Sequence, residues 1–203
     1  MALGLVLEIA NHAALPQSDV AEWYRGTRLP RRGAVPGVLA AERFVNIEDA
    51  NVSIAVYDLG DVAVAASAAF KAAGSEQDAR IDAGSPSLMM FEGRQTLPGD
   101  VASPKGAAGL LVNGMSAAPE GEEEFNRWYN EEHIPALSAV PGCILARRFV
   151  ATNGCPQKYL ALYHLDSPDV VKTQAWAKAV ETPWTLKVRP YMRDRLRIVC
   201  RAA

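Results

Sequence analysis

His133 is the side chain in this sequence with the widest scope for chemistry. It closes the run Trp128-Tyr129-Asn130-Glu131-Glu132-His133. A neutral imidazole takes up or delivers a proton near pH 7, and an adjacent carboxylate, Glu131 or Glu132, orients it or raises its basicity. Tyr129 precedes His133 by four residues, so on a helix the two share a face. The candidate acid–base group is therefore His133, with Glu132 and Tyr129 as its catalytic neighbours. The plainer alternative is a histidine satisfied by a nearby backbone carbonyl, which fixes how a helix meets Pro135.

Five further residues are candidate substrate contacts: Arg28, Trp128, Tyr163, His164 and Trp184. Arg28 suits an anion or a carbonyl oxygen, against the alternative of a solvated surface arginine. Trp128 has a match in Trp23, which favours core packing for both. Tyr163 and His164 are neighbours on one strand and face opposite sides, so only one can enter a given cavity. Trp184 lies in "TPWTLKVRPYM", a segment without an N-terminal match and a candidate cap. Arg43 and Arg148 both directly precede Phe-Val, a pattern that suits a buried arginine paired with a helix carboxylate.

These residues are set in a repeat. At an offset of 105, "WYRGTRLPRRGAVPGVLAAERFV" (Trp23 to Val45) pairs with "WYNEEHIPALSAVPGCILARRFV" (Trp128 to Val150) without a gap, and 11 of 23 positions are identical. Chance gives roughly one or two. Downstream, after a one-residue slip, Tyr57 pairs with Tyr163 and Asp58 with His164. Arg28 stands where the other copy has His133, so chemistry is expected in the second half and support in the first.

Each copy reads as a strand (residues 3–10 and 108–115), a helix carrying Val20/Trp23/Tyr24 or Phe125/Trp128/Tyr129 on its buried face, and a Pro-Gly stop. Two strands (38–46 and 52–59; 143–151 and 158–165), a helix (61–73; 168–180) and a closing strand follow. The expected fold class is α+β: two tandem β-α-β-β-α-β ferredoxin-like domains at 1–94 and 108–203, joined by the Pro/Gly-rich linker 95–107. Two antiparallel sheets, each with helices on one face, cover each other's bare faces and enclose a barrel-like space. The cover comes from within the chain or from a second chain as a homodimer.

Composition narrows the partners. Net charge is −2 with no basic block, so neither nucleic acid nor an anionic membrane is expected. No apolar run is long enough to span a bilayer, and the N-terminus lacks an export signal. Three unclustered cysteines suit a reducing cytoplasm. No metal-ligand spacing and no nucleotide-binding glycine loop stands out, so no metal and no cofactor is expected.

The run "WYNEEHIPAL", with "VPGxxxARRF" and "ETPWT" after it, resembles the EthD-like branch of the dimeric α+β barrel superfamily. The resemblance spans nearly all of the second half and implies paired ferredoxin-like units with a ligand cavity between sheet and helices or inside the barrel. It implies a range of activities: cofactor-free cyclases, quinone-forming monooxygenases, lactone isomerases and haem-degrading enzymes. The leading expectation is a cofactor-independent enzyme acting by acid–base chemistry on an aromatic or polyketide-like small molecule, through cyclisation, isomerisation, elimination or oxygenation. The alternatives are a non-catalytic small-molecule-binding protein and, behind it, a haem-handling protein using His133 or His164.

Overall fold

The computed structural model describes residues 3–75 and 87–203; residues 76–86, inside the expected first domain, lie outside the described set. Strands β1 (Gly4–Asn11), β2 (Val38–Asn46), β3 (Val52–Leu59) and β4 (Ser87–Leu97) come from the first half. Strands β5 (Gly109–Ala117), β6 (Cys143–Ala151), β7 (Tyr159–Leu165) and β8 (Met192–Ala202) come from the second. All pairings are antiparallel and close an eight-stranded barrel in the order β1-β3-β2-β8-β5-β7-β6-β4. The barrel therefore closes within one chain, and no second chain is required to complete it. Strand β4 runs on to Leu97, where it pairs with Arg148, so the first three residues expected in the linker are strand.

The first helix of each half has an unusual middle. Gln17–Trp23 and Glu122–Trp128 are α-helical, Tyr24–Arg28 and Tyr129–His133 are π-helical, and Leu29–Gly33 and Ile134–Ser138 return to α. Pro30 and Pro135 explain this. A proline has no N–H to donate and its ring crowds the carbonyl four residues back, so the ladder widens by one residue. The Leu29 and Ile134 amides accordingly bond to Tyr24 and Tyr129, five residues back. Pro30 and Pro135 stand in the first turn of the second α piece and so place Arg28 and His133 at the end of a wide turn. Each helix ends at Gly33 or Ser138, and the turn that leads into the next strand passes through Gly37 or Gly142, whose φ of 91° and 90° a side chain resists.

The second helices are broken where the sequence suggested continuity. Ser67 is extended and its hydroxyl accepts from the Phe70 amide; Thr173 does the same for Trp176. Each opens a fresh helix by capping it, so 61–73 and 168–180 are two short pieces each. A further helix, Pro183–Val188, is capped by Thr182.

Strand alternation sorts the apolar residues into three clusters. One fills the barrel, with Leu5, Leu7, Ile54, Phe91, Val112, Phe149 and Leu162. The others lie between sheet and helices, around Tyr24, Tyr57 and Phe70 in the first half and around Phe125, Trp128, Tyr163 and Trp176 in the second. Side chains fill the middle of the barrel around the ion pair Arg147–Asp58, both 0% exposed and 2.7 Å apart. One end opens into a hollow of ≈ 670 Å³ lined by Ile9, Val52, Met89, Leu196 and Ile198 among others. Among the described residues no helix is long and apolar enough to cross a membrane.

Candidate functional site

The second half keeps a hollow in its helix–sheet layer. A cavity of ≈ 120 Å³ is lined by Leu111, Asn113 and Met115 of β5, Trp128, His133 and Leu137 of the first helix, Tyr163 of β7 and Trp176. Val180, Glu181, Thr185, Arg189, Met192, Arg195 and Arg197 form the rest of its wall.

His133 is 6% exposed, and its Nδ1 has no hydrogen-bond partner. The ring lies on Trp128, centroids 4.2 Å apart at 31°, with the Tyr129 ring edge-on at 5.1 Å. Burial, and next the Arg148 guanidinium, push its pKa down from 6.5 to about 3. The imidazole is therefore neutral over the whole physiological range.

A hydrogen-bonded chain holds the ring's support in place. Trp128 Nε1 donates to Thr185 Oγ1 at 3.1 Å, the two threonine hydroxyls lie 3.0 Å apart, and Thr182 donates to Glu132 Oε1. A hydroxyl has one proton, so the carboxylate at the end fixes the direction of the whole chain. Glu132, expected beside His133 as its catalytic partner, thus bonds to Thr182 and ties the helix Pro183–Val188 to the π turn. Glu131 points outward to Arg127 at 3.6 Å.

Tyr129 is buried and accepts from Asn113 Nδ2 at 3.3 Å. Burial raises its pKa. The Tyr163 phenol is also fully buried, with its pKa pushed well up by desolvation first and by Tyr129 next. Its hydroxyl makes no well-aligned hydrogen bond. Arg148 stacks 4.5 Å from the Tyr129 ring centroid and 4.7 Å from that of Tyr159, and donates to Asn130 at 2.7 Å and Asn126 at 2.6 Å. The helix carboxylate expected opposite Arg148 is thus replaced by two asparagines.

The remaining expected contacts lie elsewhere. His164 faces the barrel interior, as strand alternation from Tyr163 requires, and its Nε2 lies 3.1 Å from Arg147 Nη2. Because an arginine can only donate, that nitrogen is the acceptor. Burial, then Arg147, lowers the His164 pKa to about 3. Trp184 donates to Glu124 at 3.0 Å outside the cavity wall. Arg28 is neither solvated nor open to ligand: its side chain is 12% exposed and bonds both Glu8 oxygens, at 3.0 and 2.8 Å, and the Gly74 carbonyl. Of the eight expected residues, His133, Trp128 and Tyr163 share one cavity.

Sequence reasoning passed over Asn113, Trp176, Arg195 and Arg197. Asn113 had a signal, since it is the polar residue in an apolar strand and pairs with Glu8 at the repeat offset of 105.

No protein-family profile matches the chain, and no curated protein matches it. Solved structures do match its fold. A candidate chlorite dismutase superposes with TM-score 0.73 at 11% identity, covering 100% of this chain and 95% of the other. A candidate monooxygenase from Fusobacterium nucleatum gives 0.70 at 11%, covering 99% and 93%. An anthrone oxidase-like protein gives 0.62 at 13%, covering 98% and 91%. The chain shares with these proteins the fold of an α+β barrel of eight antiparallel strands, and at such identities the likeness is one of fold.

Proposed function

We propose that this protein is a cofactor-independent enzyme that moves a proton on a small, single-ring aromatic or enolisable compound in the cavity of its second half, with His133 as the acid–base group. The observation that carries this reading is a buried, neutral imidazole, its Nδ1 unpartnered, whose ring stands on the wall of a hollow lined by both aromatic and polar side chains. A cavity of ≈ 120 Å³ is close to the roughly 150 Å³ that accepts benzene, so a one-ring substrate suits it better than a multi-ring polyketide.

His133 takes a proton from an acidic C–H or O–H, and the Asn113 carboxamide and aromatic wall hold the resulting anion. A pKa of about 3 makes the isolated imidazole a weak base. Proton uptake becomes favourable when it forms an ion pair with the substrate anion inside the same dry space. Returning the proton to another atom completes an isomerisation. The same anion, meeting dioxygen, would begin the oxygenase-type chemistry suggested by the monooxygenase and anthrone oxidase-like neighbours.

The chain is read here as two ferredoxin-like units of EthD-like type in tandem, the first ending with β4 and the second starting at β5. The shared element order and the two π turns at matching positions support this. Haem fits the site poorly, because a ligand of that size needs a pocket of at least about 300 Å³ and Trp128 stacks on the ring of His133.

Solvent-deuterium exchange into enolisable cyclic ketones and acidic phenols tests the reading. Wild type should catalyse exchange, and His133→Gln should slow it roughly 10²–10⁴-fold. A folded His133→Gln variant exchanging at the wild-type rate removes His133 from the chemistry.

A further inference from the structure

We infer that the ligand of this cavity carries an anionic group such as a carboxylate on its ring, and that Arg195 and Arg197 bind it. This rests on the proposed use of the helix-side cavity and adds the charge of its occupant. Strand β8 alternates: Leu196, Ile198 and Cys200 pack with the barrel interior, while Val199 packs with the helix-side core. Arg197 and Arg195 continue the Val199 face and line the cavity. Where this face nears the cavity rim, two guanidiniums thus stand in positions a closed core would fill with apolar side chains. Arg197 pairs across the strands with Asn113, whose carboxamide holds Tyr129. Arg195 is near enough for its charge to act on the same phenol.

Neither guanidinium is spent on the protein. Among the described residues Arg28 and Arg32 bond Glu8, Arg147 bonds Asp58 and Arg148 bonds two asparagines. At the cavity itself Glu181 is the one lining carboxylate, and Arg189 engages it. Arg195 and Arg197, both exposed, form no ion pair or hydrogen bond among the described residues. A chain with net charge −2 therefore places two uncompensated positive charges on the wall of its cavity, a field that gathers anions. Arginine's planar fork suits a carboxylate in particular. The aromatic and aliphatic side of the hollow, Leu111, Trp128, Leu137 and Trp176, would take the ring. The arginines would hold the carboxylate at the wet rim, and the substrate's charge would offset the repulsion that Arg148 exerts on a protonated His133.

Benzoate and its uncharged analogue benzyl alcohol distinguish the outcomes, with binding followed by calorimetry and by the indole N–H signals of Trp128 and Trp176. Wild type should bind benzoate more tightly than the alcohol, and added salt should weaken benzoate alone. Arg195→Gln/Arg197→Gln, at exposed positions that leave the core untouched, should lose at least tenfold in benzoate affinity and none for the alcohol. Equal benzoate affinity in wild type and double variant overturns the inference. So does preference for the alcohol in wild type, which leaves the cavity reading intact. If neither compound shifts the indole signals, the inference and the cavity reading fall together.

Discussion

The two halves place the same kind of layer over the same kind of sheet, yet at matching positions one carries a cluster of buried charges and the other a cavity. The first half's own hollow, ≈ 600 Å³, lies further along its helix beside Tyr24, Leu29 and Ala41. In the first half Glu8 of β1 lies opposite Ala55 of β3; in the second, Asn113 of β5 lies opposite Ala161 of β7. Around Glu8 stand Arg28 and Arg32, with Arg32 resting 3.9 Å from the Phe70 ring centroid. Around Asn113 the matching positions carry His133, Leu137 and Trp176, and a cavity remains. A buried ion pair contributes little net stability over apolar packing. Exchanging the arginine pair and its carboxylate for neutral groups therefore costs the fold little. It leaves a hollow with an unpaired imidazole beside it, the difference on which the proposed site rests.

The comparison is broken most forcefully at Glu8. Glu8→Gln leaves two buried guanidiniums without a counter-charge and should cost about 3–5 kcal/mol. Asn113→Ala, at the matching place, removes one neutral hydrogen bond to Tyr129 and should cost about 1 kcal/mol. Urea unfolding of both variants checks this. Equal losses would mean that the first half does not depend on its ion pair.

Transplanting the first half's solution into the second sharpens the contrast. His133→Arg alone buries a charge beside Arg148, whereas His133→Arg with Asn113→Glu rebuilds the pair found at Arg28 and Glu8. The two substitutions should be coupled by about 0.5–3 kcal/mol in favour of the double variant, as expected for residues in contact. The double variant should lose ligand binding because the cavity is filled. A coupling of zero would mean that the two positions do not meet as their counterparts do.

Much of this contrast was legible before any coordinates. The offset of 105 aligned Trp23 with Trp128 and Arg28 with His133, and it located the missing histidine. Period-two alternation also separated Tyr163 from His164 correctly. Two things stayed hidden. How much of the space between facing sheets stays open, and at which end, depends on side-chain volumes summed over eight strands, and no local pattern reports that total. Glu132, beside His133 in sequence, reaches a threonine 50 residues away, because the π turn rotates neighbouring side chains to different sides.

Protonation offers a smaller but cleaner probe. His133 and His164 have folded pKa values of about 3, below the ordinary 6.5. Between those values the unfolded chain binds more protons than the folded one, so stability is full above pH 6.5 and falls as pH drops. The slope is up to about 1.4 kcal/mol per pH unit for each histidine. From pH 6 to pH 5, His133→Gln and His164→Gln should each flatten the slope by up to that amount. Arg28, the first half's counterpart of His133, stays charged across this range and contributes none. An unchanged slope in His133→Gln would mean that the imidazole is solvated rather than buried.

The smallest test uses the tryptophan that both halves share. Trp128 Nε1 donates to Thr185, whereas Trp23 Nε1 is buried without a partner. Trp→Phe removes the N–H at either place, and because Trp128 is fully buried whereas Trp23 is half-buried, the packing lost adds to the difference in the same direction. At Trp128 the change forfeits a net hydrogen bond and strands Thr185 at the start of the threonine–Glu132 chain. At Trp23 it removes a donor that nothing satisfies. Trp128→Phe should therefore be less stable than Trp23→Phe by about 0.5–1.5 kcal/mol or more. Equal stabilities would mean that the chain behind His133 is incidental, and that stacking on the indole alone orients the imidazole.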